Sequence, residues 1–532
     1  MINDMKRNRL ILLMILPLLL GCKPSVLEFV PYTNYVEEKN LNIDLDEEHY
    51  YSKAIPESTH TNKGDYNNFY DFSLMGTDGR SHKLLKSKGE AKILVLPIAF
   101  NDSPNDISRE NKTIYIKNAF FGDESVTIGQ SVASFYNKSS YGQLKITGMV
   151  ADWVNININI ANWKNTYSGH TDASRKITLQ AINYLKENNL INVSDFDTDE
   201  DGYIDAIYTI YDYNYSTNSE ESGSNLLWAY TDFIKENEAS LNNETPYANA
   251  YSWSSLYFAY KGNNKVDAST YIHEVGHLFG LDDYYNTGPK NSVYHFQPTG
   301  FFDLMDSNQG DHTVFSKYLF NWTYPKVIKR NSGDFTLKLT NFSSTGEYLL
   351  LPLDENYNDN PFGQYLLLEY FCPEGLNKGN NVKYVDHDIK GNQVTFTFPN
   401  VHGLKVYHVD ARLAYFKKGT LPAYNAKSIC LVGEEETHAS ELADPNSYIV
   451  DFAFSNEIKD SEVETRNPLY HLLESSGLNT FKDGKLASNE TLFRYGSTFG
   501  ETTFTDLSSR CGYAFEITNV GTKNITIKFT QK

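Results

Sequence analysis

Cysteine is nearly absent from this chain. Of 532 residues only four are Cys, at positions 22, 372, 430 and 511. Three remain beyond residue 22, too few to pair completely, so at most one internal disulfide can form and a disulfide scaffold is excluded. Their spacing does not fit a zinc ribbon either. Basic residues are outnumbered: 47 Lys and Arg face 67 Asp and Glu, a formal net charge of −20. Such a field repels nucleic acid and anionic lipid and favours cations, so no nucleic-acid partner is expected. After residue 22 there is no run of the ~20 apolar residues that a membrane span needs. No repeat or low-complexity array stands out. The 40% of hydrophobic residues is nonetheless ample for a folded core, and at ~150 residues per domain the length suggests about three units.

The first residues form a pattern of their own. Lys6, Arg7 and Arg9 precede an unbroken apolar run from Leu10 to Leu20, and Gly21-Cys22 follows at once. Basic residues, a short apolar run and a small residue before a cleavage point make an export signal. The Leu-Leu-Gly-Cys order is similar to a bacterial lipobox, in which the Cys thiol is acylated. Residues 1–21 are therefore read as a lipoprotein signal peptide. Cys22 would be the lipidated first residue and the membrane contact, at ~0.8 kcal/mol per buried CH₂. The expected location is the bacterial cell envelope, outside the cytoplasm.

Residues 22–88 are polar and weakly periodic, with an acidic cluster near 44–48, and read as a tether or pro-segment. Residues 23–88 lack Cys, which excludes a cysteine-switch latency. Residues 89–332 begin with an apolar strand-length run, Lys92 to Phe100, closed by the turn-like Asn101-Asp102-Ser103-Pro104. A helix is expected over 171–188, capped by Thr171 or Asp172, with Ala173, Ile177, Ala181 and Leu185 on one face. A second is expected from about Asp267 to Phe279, with Gly280 just past its end. From 333 to 532 the pattern turns to strands: 335–339, 365–370, 394–398, 404–407 and 525–529, separated by turn residues. A β-rich domain, of the sandwich type, is expected there.

The second helix carries His273-Glu274-Val275-Gly276-His277. Two His four residues apart share a helix face and can reach one metal; neutral imidazole suits Zn²⁺. Glu274 sits ~100° round the helix from His273. That puts a carboxylate beside the metal, able to take a proton from water and pass it to the leaving amine. With 13 His in the chain the five-residue pattern alone is a weak signal. Its continuation, Leu278-Phe279-Gly280-Leu281-Asp282-Asp283, strengthens it. Gly280 and Asp283 fall where the long metzincin motif has its Gly and third ligand. A Gly there lets the helix stop and the chain turn back. Asp283 is the expected third ligand, with Asp282, His295 and His312 as competitors. Three protein ligands leave a fourth position for water. Downstream, Gly300-Phe301-Phe302-Asp303-Leu304-Met305-Asp306 reads as a Met-turn, with Met305 as a floor under the metal; ordinary core packing of Met305 is the competing reading.

On these residues the chain resembles the immune inhibitor A family of bacterial secreted zinc metallopeptidases. Ser134 to Gly142, Ser316-Lys317 to Trp322, and Gly403-Leu404-Lys405-Val406-Tyr407-His408-Val409-Asp410 add to the likeness, which covers about residues 90–420. The resemblance implies an α+β architecture: a metzincin-like catalytic domain with a mixed sheet and an active-site helix, followed by β-structure. It departs at the third ligand, where Asp replaces the commoner His.

An acidic loop stands apart from the zinc motif. Asp197-Thr198-Asp199-Glu200-Asp201-Gly202-Tyr203-Ile204-Asp205 follows the first nine positions of an EF-hand loop, with a backbone carbonyl expected from Tyr203. The twelfth position is Tyr208, so the bidentate closing ligand is missing. Structural Ca²⁺ is expected; a solvated acidic turn is the alternative. His408 and Asp410, alternating on a strand, are read as structural.

The combined expectation is a monomeric, lipid-anchored zinc endopeptidase cleaving protein or glycoprotein, with His273, His277 and Asp283 on zinc and Glu274 as base and then acid. The rival reading, from another class, is a catalytically inactive surface lipoprotein that binds host protein or glycan. An intact Glu274 argues against it.

Overall fold

The computed structural model describes residues 50–51, 84–215, 226–234, 246–260, 262, 265–286, 296–353, 357, 361–378, 383–387, 393–417, 430–432, 448–458 and 466–532. Cys22 and His295 lie outside them. Of the segment 22–88, only 50–51 and 84–88 are described.

The apolar run before Asn101 becomes a long strand, Gly89–Phe100, in the middle of a sheet. On one side it pairs in parallel with Leu144–Val150, and on the other with Ala206–Tyr211. Ala250–Ser255 extends the sheet in parallel, and Tyr230–Phe233 closes it as an antiparallel edge. Parallel strands buried on both faces read as continuous apolar runs, which is why no alternation marks residues 93–100. The pleat still divides them. Ile93 and Val95 join the core beneath the active-site helix. Leu94, Leu96 and Ile98 face the helix His170–Glu187 with its Ala173, Ile177, Ala181 and Leu185. This part is thus a mixed sheet with helices on both faces.

The His170–Glu187 helix begins differently from the sequence expectation. Gly169 is its cap. Asp172, third in the helix, reaches back to accept the Ser168 N–H at 3.1 Å and its hydroxyl at 3.0 Å. A carboxylate at that position meets the orphan N–H end of the helix, so it stabilises the start from inside.

All five expected C-terminal runs are strands: Phe335–Thr340, Gln364–Phe371, Gln393–Thr397, Gly403–Asp410 and Asn524–Gln531. Gln364–Phe371 and Gly403–Asp410 lie inside a six-stranded sheet that runs from Tyr50–Tyr51 to Tyr470–Leu473. Its Leu349, Leu351, Leu366, Leu368 and Val406 share a core with Leu337, Phe515, Ile525 and Ile527 of a four-stranded sheet. Its opposite face, with Leu350, Leu367, Tyr407 and Leu472, joins the core of the active-site helix. Packing is therefore continuous across position 332.

Buried charges reinforce that junction. Lys405 on the six-stranded sheet lies 3.5 Å from Glu369, both 2% exposed, and 3.8 Å above the Phe302 ring. Glu369 also accepts the Val314 N–H at 3.1 Å. Removing one partner of such a pair strands a buried charge, at a cost of about 3–5 kcal/mol. His408 pairs across strands with His471. Burial pushes their pKa values down to about 3 and about 4, so both stay neutral within the sheet. Asp410 is gripped by Arg412 through two 2.7 Å bonds. Cys372 and Cys511 are free and buried, and Cys430 is buried.

Candidate active site

The motif helix runs Ser269–Leu278, and Asp267 accepts the Ser269 N–H at 3.0 Å. It ends at Phe279, and Gly280, with φ +96°, turns the chain back. That turn returns Asp283 to the helix face carrying the two His. His273 Nδ1 lies 3.2 Å from the Leu304 carbonyl, and His277 Nδ1 lies 2.6 Å from the Leu281 carbonyl. Each contact fixes the ring and leaves Nε2 facing inward, the arrangement by which metal-binding imidazoles are oriented. The two Nε2 atoms lie 3.0 and 3.4 Å from one Asp283 oxygen. One donor atom from each residue falls within 4.8 Å of the others.

This donor set fits zinc: two neutral imidazole nitrogens and one carboxylate, close enough for a single ion at ~2.0–2.2 Å from each. Burial opposes charge on His277, but the Asp283 carboxylate outweighs it and lifts the imidazole to about 10. Burial likewise opposes Asp283 ionisation, and His277 and His273 override it, holding the carboxyl well below its usual range. The metal-free site therefore keeps a proton on His277, where a cation would compete for the same nitrogen.

Glu274 is 5% exposed and lies outside the three-residue cluster. Its Oε2 accepts the Thr231 hydroxyl at 3.3 Å. Its backbone carbonyl accepts from Thr231 at 3.0 Å and Ser252 at 3.3 Å, which ties the helix to the edge strand and its neighbour. Burial raises the Glu274 carboxyl, and the two His oppose that rise. A carboxyl raised toward neutrality is better matched to exchanging a proton near pH 7.

Beneath the helix lies Met305, fully buried. A Cβ on Gly276 would sit 2.5 Å from its sulfur, so a Gly at this position lets Met305 approach the motif. Asp303 caps the turn by accepting the Met305 N–H at 2.8 Å, and its other oxygen takes the Thr313 hydroxyl. Thr313 in turn contacts the Tyr470 hydroxyl at 2.6 Å. The floor of the site is thereby fastened to the C-terminal sheet.

The competing ligands separate. Asp282 is exposed and lines the cavity but is outside the cluster. His312 is buried among Phe135, Tyr136, Phe320 and Trp322, and neither ring nitrogen has a hydrogen-bond partner among the described residues. Three residues that the sequence reasoning passed over also belong here. Tyr285 lines the cavity; burial and then the Asp283 carboxylate raise its phenol. It stands two residues beyond Asp283, a proximity that could have marked it. Asp306 follows Met305 directly. Thr231 gave no local signal.

In the acidic loop one oxygen each of Asp197, Asp199 and Asp205 lies within 4.8 Å of the others. Asp197 accepts the N–H groups of Asp201 at 3.0 Å and Gly202 at 3.1 Å, which winds the loop. Asp201 folds onto the Tyr203 N–H at 2.9 Å instead of joining the three. Asp205 already accepts from Lys92 N–H and Thr198. Tyr208 is buried in the sheet, 2.9 Å from the Ser254 hydroxyl, and does not close the loop.

The helix, Asp283, the Met305 turn and the acidic loop all fall within residues 81–315, which match the model of the immune inhibitor A peptidase M6 catalytic domain. No curated protein matches the chain. Residues 81–315 thus resemble a catalytic domain of the immune inhibitor A peptidase M6 family, and this match supports a metallopeptidase.

Proposed function

We propose that the protein is a zinc endopeptidase acting on protein or glycoprotein outside the cytoplasm, held at the cell envelope by a lipid on Cys22. One observation carries the reading: two ring nitrogens and a carboxylate oxygen converge in a cavity beside a buried carboxylate that is not part of their cluster. His273, His277 and Asp283 would hold the metal. Zinc bound there supplies a Lewis acid for the scissile carbonyl and lowers the pKa of water. Glu274 takes the proton from the attacking water and returns it to the departing amine. The Thr231 hydroxyl steadies its carboxylate between these steps. The cavity, about 320 Å³, is walled on one side by the edge strand Tyr230–Phe233. An extended peptide laid along an edge strand is held through its mid-chain backbone, which suits internal cleavage. Peptide-library digestion by the soluble, zinc-loaded protein, with a Glu274→Gln control, tests the reading. Products arising only from chain termini would exclude an endopeptidase.

Calcium in the 197–205 loop is part of the same proposal. Asp197, Asp199 and Asp205 offer oxygens, and an ion among them would relieve the mutual repulsion of the loop's acids. Replacing Asp199 and Asp201 together by Ala should remove most of the calcium-dependent gain in melting temperature. Equal calcium shifts in both proteins would leave the loop merely solvated.

The anchor rests on the Leu-Leu-Gly-Cys order that ends the apolar run. Cys22→Ser should release the protein or leave its precursor unprocessed. Metabolic palmitate labelling that persists in this variant would exclude lipidation at Cys22.

A further inference from the structure

Asp306 is 2% exposed and lies in the cavity wall, within the turn that carries Met305. One of its oxygens, Oδ2, is fully used: it accepts the Phe301 N–H at 2.8 Å and the Thr299 hydroxyl. The other, Oδ1, is buried and has no hydrogen-bond partner among the described residues. A buried acceptor without a donor costs about 1–3 kcal/mol, and more for a charged group. In folded proteins such an atom is usually met by an ordered water, an ion or a ligand. Asp303 and Lys405 show the contrast. The Asp303 carboxylate, three residues away along the same turn, has a donor on each oxygen, and Lys405 has Glu369.

The charges around the cavity point the same way. Glu274, Asp282, Asp283 and Asp306 line it, and no Lys or Arg does so among the described residues. A divalent ion on His273, His277 and Asp283 offsets the formal charges of Asp283 and Glu274. It leaves Asp306 and Asp282 without a cationic counterpart in the cavity wall, and desolvation there raises both carboxyls toward the neutral form, which a bound cation would reverse. Glu457 from the C-terminal part adds further negative potential near Asp283. The cavity lining therefore carries four carboxyl groups and no Lys or Arg among the described residues, and Asp306 holds one oxygen left over.

We propose that Asp306 is the specificity-determining residue of a subsite for a basic side chain, a Lys ammonium or Arg guanidinium of the substrate, next to the cleaved bond. This deepens the endopeptidase reading and rests on it. The cation would donate to Oδ1, with Asp282 at the exposed side of the same wall. Thr299 and the Phe301 N–H hold the carboxylate plane, so little order is lost on binding. A charge-assisted hydrogen bond of this kind discriminates by about 10–100-fold against an uncharged isostere.

The test uses the zinc-loaded protein and paired peptides, Lys against norleucine and Arg against citrulline, at each position flanking a cleaved bond. At one position the wild type should favour the basic member by about 10–100-fold in kcat/KM. Asp306→Asn keeps an oxygen for Phe301 and Thr299 and should shrink that ratio to within about threefold. Equal rates on both members in the wild type, which needs no variant to fold, would overturn the proposal. So would an undiminished preference in a folded Asp306→Asn protein. Binding of the same pairs to zinc-loaded Glu274→Gln protein by calorimetry gives a readout free of chemistry. If no peptide is cut, the endopeptidase reading falls, and the binding comparison still decides the subsite: tighter Lys binding that Asp306→Asn abolishes supports it, and equal binding refutes it.

Discussion

Glu274→Gln should lower kcat/KM on peptides by about 10²–10⁴-fold, the loss expected when a general base is removed, while zinc content stays at the wild-type level. The expectation follows from position. Glu274 is buried and reaches Thr231 on the edge strand, whereas the inward nitrogens of His273 and His277 converge with Asp283. Gln keeps the size of the side chain and its hydrogen bond from Thr231 but cannot hold a transferable proton. His277→Ala, by contrast, should lose metal and activity together. Metal analysis and kinetics on the same preparations separate the two roles. If Glu274→Gln loses zinc as fully as His277→Ala, the carboxylate is a ligand and the assignment is wrong. If it keeps full activity, the helix is not where peptides are cleaved.

Zinc affinity should rise steeply with pH, about tenfold per unit between roughly pH 6 and 8. In the metal-free protein the Asp283 carboxylate holds His277 protonated up to about pH 10. Zinc needs that imidazole neutral, so binding expels a proton, and mass action favours binding as pH rises. Asp283→Ala should act twice. It removes a ligand, weakening zinc by more than the 10–100-fold typical of outer-shell partners. It also removes the charge that holds the His277 proton, so the pH slope should flatten. Competition titration against a chromophoric chelator at several pH values measures both. A flat profile in the wild type would mean that no proton is displaced. An unchanged affinity in Asp283→Ala would return the third position to another residue. His312→Ala should leave affinity unaltered, because its ring is enclosed by Phe135, Tyr136, Phe320 and Trp322, outside the cluster.

The geometry of the candidate site was legible wherever it is local along the chain. Helical spacing alone puts His273 and His277 on one face, and Gly280 announces the turn that brings Asp283 back. The loop at 197–205 announced itself by alternating acids. Strand positions in the C-terminal part followed from short strand-like runs bounded by turn residues. Other features were out of reach for a physical reason. The start of the 170–187 helix depended on which of several polar residues met the free N–H groups, a choice made by backbone geometry. The ring contacts at Leu304 and Leu281 involve backbone carbonyls, which every residue possesses and no side-chain pattern reveals.

By itself the sequence determined the helix that carries His273 and His277, its closing turn, the acidic loop and the strand content, because each depends on neighbours within a dozen residues. Only the tertiary structure decided what surrounds them. It set Thr231 and Ser252, some 43 and 22 positions before Glu274, against the helix carbonyl. It joined the six-stranded sheet to the catalytic core through Lys405, Glu369 and Phe302, so that residues on either side of position 332 share one interior. It also left Asp306, in the cavity wall, with one oxygen matched and the other buried without a hydrogen-bond partner among the described residues. Contacts between residues far apart in the chain are selected by the packing of whole faces, and no spacing in the sequence encodes which faces will meet.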